Sequence, residues 1–116
     1  MFDTNGFTIQ LRQGETGAVG FRFIGYEFQA DDRVIFHVRQ GNTTFIKNEY
    51  TPDENQSIII YFLHSTTNDM PVGSYTYDII FVLNPYRDSS GKITDGDQIL
   101  YPYDPQTLII NNPSGL

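Results

Sequence analysis

Gly73-Ser74-Tyr75-Thr76-Tyr77-Asp78 begins the longest strand that the sequence predicts, which covers about residues 74–83. Its two tyrosines alternate with polar residues and share one face with Ile79, Phe81 and Leu83. This period-two alternation is typical of a strand with one buried face. The stretch therefore predicts that aromatic side chains contribute to a β-rich core.

The same alternation recurs along the rest of the chain, where turn residues separate short apolar segments. Further strands are predicted at about residues 7–11, 19–23, 33–40, 43–46, 57–63, 98–101 and 107–110. Residues 66–71 are predicted to form a loop with at most one helical turn. Seven or eight short strands with turns every ~8–12 residues predict an all-β, antiparallel sandwich. We expect one domain over residues 1–116, with a core at about 7–111 and a tail or linker at 112–116.

Two segments carry more specific expectations. Residues 57–63 are apolar on both faces, so we expect both faces of this strand to be covered. Residues 84–97 are polar and contain Pro85, Gly91 and Gly96, so we expect an insertion between two strands.

Composition excludes several classes of protein. The chain has 116 residues, with 7 lysines and arginines against 14 aspartates and glutamates, for a formal net charge of −7. This balance argues against a nucleic-acid binder, since affinity for phosphate backbones comes mostly from clustered basic residues. The absence of cysteine rules out disulfides, thiolate metal sites and a cysteine nucleophile. No apolar run approaches the ~20 residues of a membrane-spanning helix, so we expect no membrane insertion.

Tyr75 and Tyr77 refine the fold class. In immunoglobulin domains, a tyrosine near the start of strand F lies two residues before the second cysteine and hydrogen-bonds back to the preceding corner. Tyr75 matches that tyrosine, and Tyr77 stands where the cysteine would be. We expect Phe21 or Phe23 to face Tyr77, and Phe36 to replace the tryptophan of strand C. The predicted fold is an immunoglobulin-like sandwich without a disulfide.

Several runs also carry a resemblance to a known family. They are Asp32-Arg33-Val34-Ile35-Phe36-His37-Val38, Ser57-Ile58-Ile59-Ile60, Asn68 to Ile79, Asn84-Pro85-Tyr86 to Gly96-Asp97, and Thr107-Leu108-Ile109. In this order they resemble the immunoglobulin-like N-terminal domain of upper baseplate proteins from phages and prophages of Gram-positive bacteria. The resemblance covers about residues 7–111.

The resemblance implies a structural, non-catalytic module that docks to other virion proteins and often works in an oligomer. It implies synthesis in the cytoplasm of a bacterial host and a final location in the tail or baseplate of the virion. Neither catalytic residues nor a cofactor comes with it. Independently, the sequence lacks G-x-S-x-G, H-E-x-x-H and Walker A motifs. A small hydrolase is the least favoured class.

Metal binding has weak candidates only. His37 and His64 are predicted to lie on different strands without the spacing of a zinc site. Asp88, Asp95 and Asp97 could offer oxygen ligands to Ca²⁺, but their segment lacks the spacing of an EF-hand loop. The alternative is a long hairpin whose tip uses Asp, Ser and Gly because these residues suit turns.

Loop tyrosines indicate a binding surface, and Tyr86, Tyr101 and Tyr103 are the candidates. Tyrosine is enriched at protein–protein interfaces, which fits an assembly module. The alternative function is a carbohydrate-binding module that recognises a cell-surface saccharide by stacking sugar rings on these tyrosines. A third interpretation is that several of them only cover the ends of the sandwich. Asp78 is expected to face solvent or to accept backbone hydrogen bonds at a sheet end.

Overall fold

The described residues form mostly β-strands, with one short helix among them. A computed structural model describes residues 7–113. Its elements are β1 (Ile9–Arg12), β2 (Gly17–Arg22), β3 (Arg33–Gln40), β4 (Thr43–Tyr50), β5 (Ser57–Phe62), α1 (His64–Asn68), β6 (Gly73–Arg87), β7 (Ile93–Leu100) and β8 (Gln106–Asn111). His64 therefore begins a short helix and does not lie on a strand, because the period-two pattern ends at Phe62.

Residues 7–113 form two sheets. The larger one has the order β1-β8-β6-β3-β4, and β7 pairs with the far part of β6. The smaller one contains β2 and β5. The expectation of a purely antiparallel fold is wrong at one place, because β1 runs parallel to β8. These two strands come from opposite ends of the chain, so no short hairpin forces them to run in opposite directions.

One hydrophobic cluster joins the two sheets. The Phe21 ring of the small sheet lies 6.4 Å from the Tyr77 ring of the large sheet, measured between ring centroids. The rings of Phe36 and Phe62 make a second contact across the core at 5.9 Å. Apolar burial of this kind stabilises a fold by ~25 cal/mol per Å². Aromatic packing is thus a major component of the core of this cysteine-free chain.

Tyr75 and Tyr77 lie side by side at the start of β6, and both are buried. The Tyr75 hydroxyl donates a hydrogen bond to the carbonyl of Pro71, four residues upstream. The Tyr77 ring lies 5.4 Å from that of Phe36 and contacts Phe21. Of the two expected neighbours of Tyr77, Phe21 is the one that contacts it, whereas Phe23 packs on Phe81.

Residues 84–97, which we expected to be a polar insertion, form the long hairpin that was the alternative to a calcium-binding loop. β6 continues to Arg87 and β7 begins at Ile93, so the two strands form a long hairpin beyond the core. Asn84 interrupts the regular backbone with a φ of 50°, and Pro85 pairs with Gly96. These strands are polar because the hairpin extends beyond the core into solvent. They therefore lack the alternation of apolar and polar residues from which strands with a buried face are predicted.

Candidate functional site

The outer face of the β2–β5 sheet is exposed and apolar. Ile59 and Tyr61 of β5 are 50% and 64% exposed, so the expectation that both faces of this strand are covered is wrong. Across the ladder they pair with Gly20 and Ala18, which are too small to cover the two larger side chains. No described element lies over this face, because the larger sheet occupies only the opposite side.

We call these residues the apolar face and add the two exposed side chains that follow its strands. The apolar face is Ala18, Gly20, Ile24, Ile59, Tyr61 and Leu63. Within residues 7–113, β2 and β5 pair only with each other, so the outer edge of each lacks a partner strand. Free edges present backbone N–H and C=O groups to an incoming strand. The small sheet therefore offers both apolar contacts and backbone hydrogen bonds.

The three predicted binding tyrosines do not form one surface. Tyr103 is half-buried, which fits the interpretation that some of these tyrosines only cover the sandwich; its ring stacks on Phe23 at 6.3 Å, and burial raises its pKa to about 12. Tyr101 is 67% exposed and Tyr86 is 48% exposed. They lie toward opposite ends of the β6–β7 ribbon, because Tyr101 follows the residue paired with Phe81. Tyr101 is thus level with Ile80, six positions along β6 from Tyr86, which is about 20 Å at ~3.3 Å per residue.

Tyr86 is accompanied by two polar side chains. Its hydroxyl donates a hydrogen bond to the Asp97 carboxylate, which also accepts a bond of 2.8 Å from the Asn84 amide. The hydrogen bond from Tyr86, followed by that from Asn84, lowers the pKa of Asp97. The same bond raises the pKa of Tyr86. An exposed ring beside a carboxylate and an amide can contact both the apolar and the hydroxyl parts of a ligand.

Asp88, Asp95 and Asp97 do not converge on one point. The Asp88 carboxylate closes the hairpin turn by accepting bonds from the Ser90 hydroxyl at 2.7 Å and the Lys92 amide at 3.0 Å. These interactions, with Ser90 first, lower the pKa of Asp88. Asp95 accepts a bond from the amide of Gly96, and Asp97 is engaged as described above. Over the described part of the chain, no group of three or more His, Asp or Glu side chains could hold a metal ion.

The two histidines and Asp78 have separate partners. His37 shares a hydrogen bond of 2.9 Å with the Thr44 hydroxyl, and His64 one of 2.6 Å with the carbonyl of Gly14. Burial, followed by the nearby charge of Lys47, lowers the pKa of His37. Asp78 forms an ion pair of 3.3 Å with Arg39 on the adjacent strand. That partner was not evident from the sequence.

A second site, not predicted from the sequence, lies between β4 and the tip of the β6–β7 hairpin. Arg87 binds the Glu49 carboxylate through two nitrogens, at 2.9 and 3.2 Å. Arg33 approaches the same carboxylate at 4.0 Å. Beside this junction lies a cleft of about 160 Å³, which is lined by Ile35, Lys47, Asn48, Glu49, Lys92 and Ile93. We call it the lysine cleft.

Comparison with known proteins adds no assignment. No protein-family model, curated protein or solved structure matches the chain. No helix within residues 7–113 is long and apolar enough to cross a membrane.

Proposed function

We propose that the chain is an immunoglobulin-like sandwich that serves as a non-catalytic assembly module of a phage or prophage tail or baseplate. In the immunoglobulin arrangement, strands B and E share one sheet, and C, F and G are neighbours in the other. β2 and β5 correspond to the first pair, and β3, β6 and β8 to the second group, with β4 in the place of C′. The hydrogen bond from Tyr75 to Pro71 supports the same assignment.

The apolar face carries the proposal of attachment to another protein. Exposed aromatic and aliphatic side chains that lie together on one sheet mark interaction surfaces more often than isolated ones do. Tyr61 presents a large ring with few rotatable bonds, and interfaces are enriched in such residues. The unpaired edges of β2 and β5 allow a partner to add a strand, a common mode of peptide recognition. The partner we propose is another tail protein of the same virion.

The setting comes from the resemblance of the motifs around residues 32–38 and 68–79 to upper baseplate domains. On the basis of this resemblance, we propose that the protein is synthesised in the bacterial host and acts in the virion tail. An oligomer is compatible with the open edges, since two copies could pair through them.

Size-exclusion chromatography with purified tail proteins tests this function. We expect one tail protein to form a complex with the chain, and Ile59→Ser and Tyr61→Ser to weaken it by at least tenfold, as about 1.4 kcal/mol would suggest. Val72→Ser removes an exposed apolar side chain outside the apolar face and is the matched control. Failure of every tail protein to bind, or equal binding by all three variants, would contradict the proposal. A complex only with a second copy of the chain would leave self-assembly in its place.

A carbohydrate-binding module is the second candidate, and the arrangement around Tyr86 is the observation that favours it. The exposed ring could stack on a sugar, while Asp97 and Asn84 could accept and donate hydrogen bonds to its hydroxyls. A glycan array tests this directly. Binding that is abolished by Tyr86→Ala and kept by Tyr101→Ala, in the absence of any protein partner, would replace the assembly function.

A further inference from the structure

The lysine cleft concentrates positive charge on an acidic protein. Four of the chain's 7 lysines and arginines surround it, namely Arg33, Lys47, Arg87 and Lys92. The carboxylates nearby are Glu49, which lines the cleft, and Asp88 in the hairpin turn. These six side chains alone sum to +2, against −7 for the whole chain. This surface therefore attracts anions although the protein as a whole repels them.

The two lysines of the cleft are available for a ligand. Ion pairs within residues 7–113 involve Arg33, Arg39 and Arg87, so neither lysine ammonium is engaged in one. Glu49 is occupied by the two-point contact with Arg87. Lys47 pairs with His37 on the adjacent strand, and after burial its charge contributes to the lowered pKa of His37.

The shape of the cleft favours the side chain of a peptide. A volume of about 160 Å³ is similar to that of a cavity that accepts one benzene ring, so it suits one side chain. Ile35 and Ile93 form apolar walls that match the methylene groups of a glutamate, and the lysines match its carboxylate. β4 pairs with β3 on one side, while no strand among the described residues pairs on its other side. An extended peptide can therefore bond to the β4 edge and place alternate side chains toward the cleft.

We propose that the lysine cleft binds an acidic side chain from an extended segment of a partner protein, with Lys47 and Lys92 as its charge partners. The site is separate from the apolar face, which lies on the smaller sheet, and does not depend on it. It would give the module a charge-selective contact beside the apolar one. Electrostatic complementarity of this type adds specificity and speeds association more than it adds affinity.

Fluorescence anisotropy with the full chain tests the site. The probe is a short labelled peptide of alternating glutamate and valine, and the matched probe has glutamine in place of glutamate. We expect binding of the glutamate peptide only. Each of Lys47→Gln and Lys92→Gln should weaken it ~3-fold and the double variant ~10-fold, the range of exposed ion pairs. Raising the salt concentration from ~0.05 to ~0.5 M should also weaken binding of the glutamate peptide to the unchanged protein, since exposed charges are screened.

Arg22→Gln is the control, because it changes the net charge equally at an exposed position on β2. It should bind the glutamate peptide as the unchanged protein does. Equal binding by the double lysine variant, or equal binding of the glutamine peptide, would overturn the proposal. The proposal would also be overturned if the peptide did not bind but a sulfated oligosaccharide bound and lost its affinity in the lysine variants. The apolar-face variants Ile59→Ser and Tyr61→Ser should keep peptide binding, so this test and that of the proposed function can fail separately.

Discussion

The Tyr77 hydroxyl donates a hydrogen bond of 2.7 Å to the backbone carbonyl of Phe7, seventy residues earlier in the chain. Tyr77 is fully buried, so its hydroxyl would be costly without a partner. The bond ties β6 to the segment that leads into β1. A tyrosine here does what a phenylalanine could not, because it fills the core and also satisfies a backbone carbonyl.

Tyr77→Phe should lower the free energy of unfolding by about 1–2 kcal/mol. The ring contacts with Phe21 and Phe36 remain, but the Phe7 carbonyl loses its donor. Urea denaturation followed by circular dichroism measures the change. A midpoint equal to that of the unchanged protein would mean that water replaces the lost donor at no cost.

Tyr75→Phe should destabilise the protein by about 1 kcal/mol, the net value of one hydrogen bond. The substitution removes the bond to Pro71 and keeps the edge-to-face contact with Phe45, whose ring centroid lies 5.0 Å away. The same urea titration applies. An unchanged midpoint would show that this hydrogen bond does not stabilise the fold.

Alkaline pH should destabilise the fold through Tyr103. Burial raises its pKa to about 12, whereas a tyrosine in the unfolded chain titrates near 10. The raised pKa means that its contribution is fully present below pH ~10 and is lost as the pH rises toward ~12. We expect the urea midpoint to decrease as the pH is raised from ~10 to ~12, and to decrease less in Tyr103→Phe. Equal losses in both proteins would assign the effect to other groups.

Gly96→Ala should destabilise the hairpin of β6 and β7. A Cβ atom at this position would lie 2.8 Å from the Val82 side chain and 3.0 Å from the Leu83 carbonyl, so one strand must move. Overpacking of this type costs about 1–3 kcal/mol. Gly20→Ala is the control, because the nearest atom to its added Cβ would be 3.9 Å away. Thermal melts of the two variants should therefore differ clearly, with only Gly96→Ala lowered.

Calcium should leave the melting temperature unchanged. The carboxylates of Asp88 and Asp97 are engaged in hydrogen bonds within the hairpin, and they do not converge with Asp95. A ligand that binds only the native state must stabilise it. Melts in calcium chloride and in sodium chloride of equal ionic strength provide the comparison. A rise of several degrees in calcium alone would show a site that these side chains form by rearranging.

Local pattern was sufficient to predict most of the strands. Alternation along β3 placed Val34, Phe36 and Val38 on the buried face, and all three are buried. Tyr75 could be assigned a partner upstream because its hydrogen bond spans only four residues. These features depend on side chains that are near in sequence, where a period of two residues decides which ones share a face.

The surfaces depended on tertiary contacts instead. The apolar residues of β5 predicted two covered faces, but the large sheet covers only one, so Ile59 and Tyr61 are exposed. Tyr103 is half-buried because Phe23, eighty residues earlier, lies beneath it. The lysine cleft exists because Arg87 brings the hairpin to Glu49.

The sequence by itself thus determined that this is an acidic, cysteine-free chain of short strands with an aromatic core. Only the tertiary structure decided which strand faces are exposed to solvent and which charged side chains contact each other. The physical reason is that alternation specifies the two faces of a strand, but not what is packed on each of them. That choice is made by contacts between segments far apart in the chain, and both proposed binding surfaces arise from it.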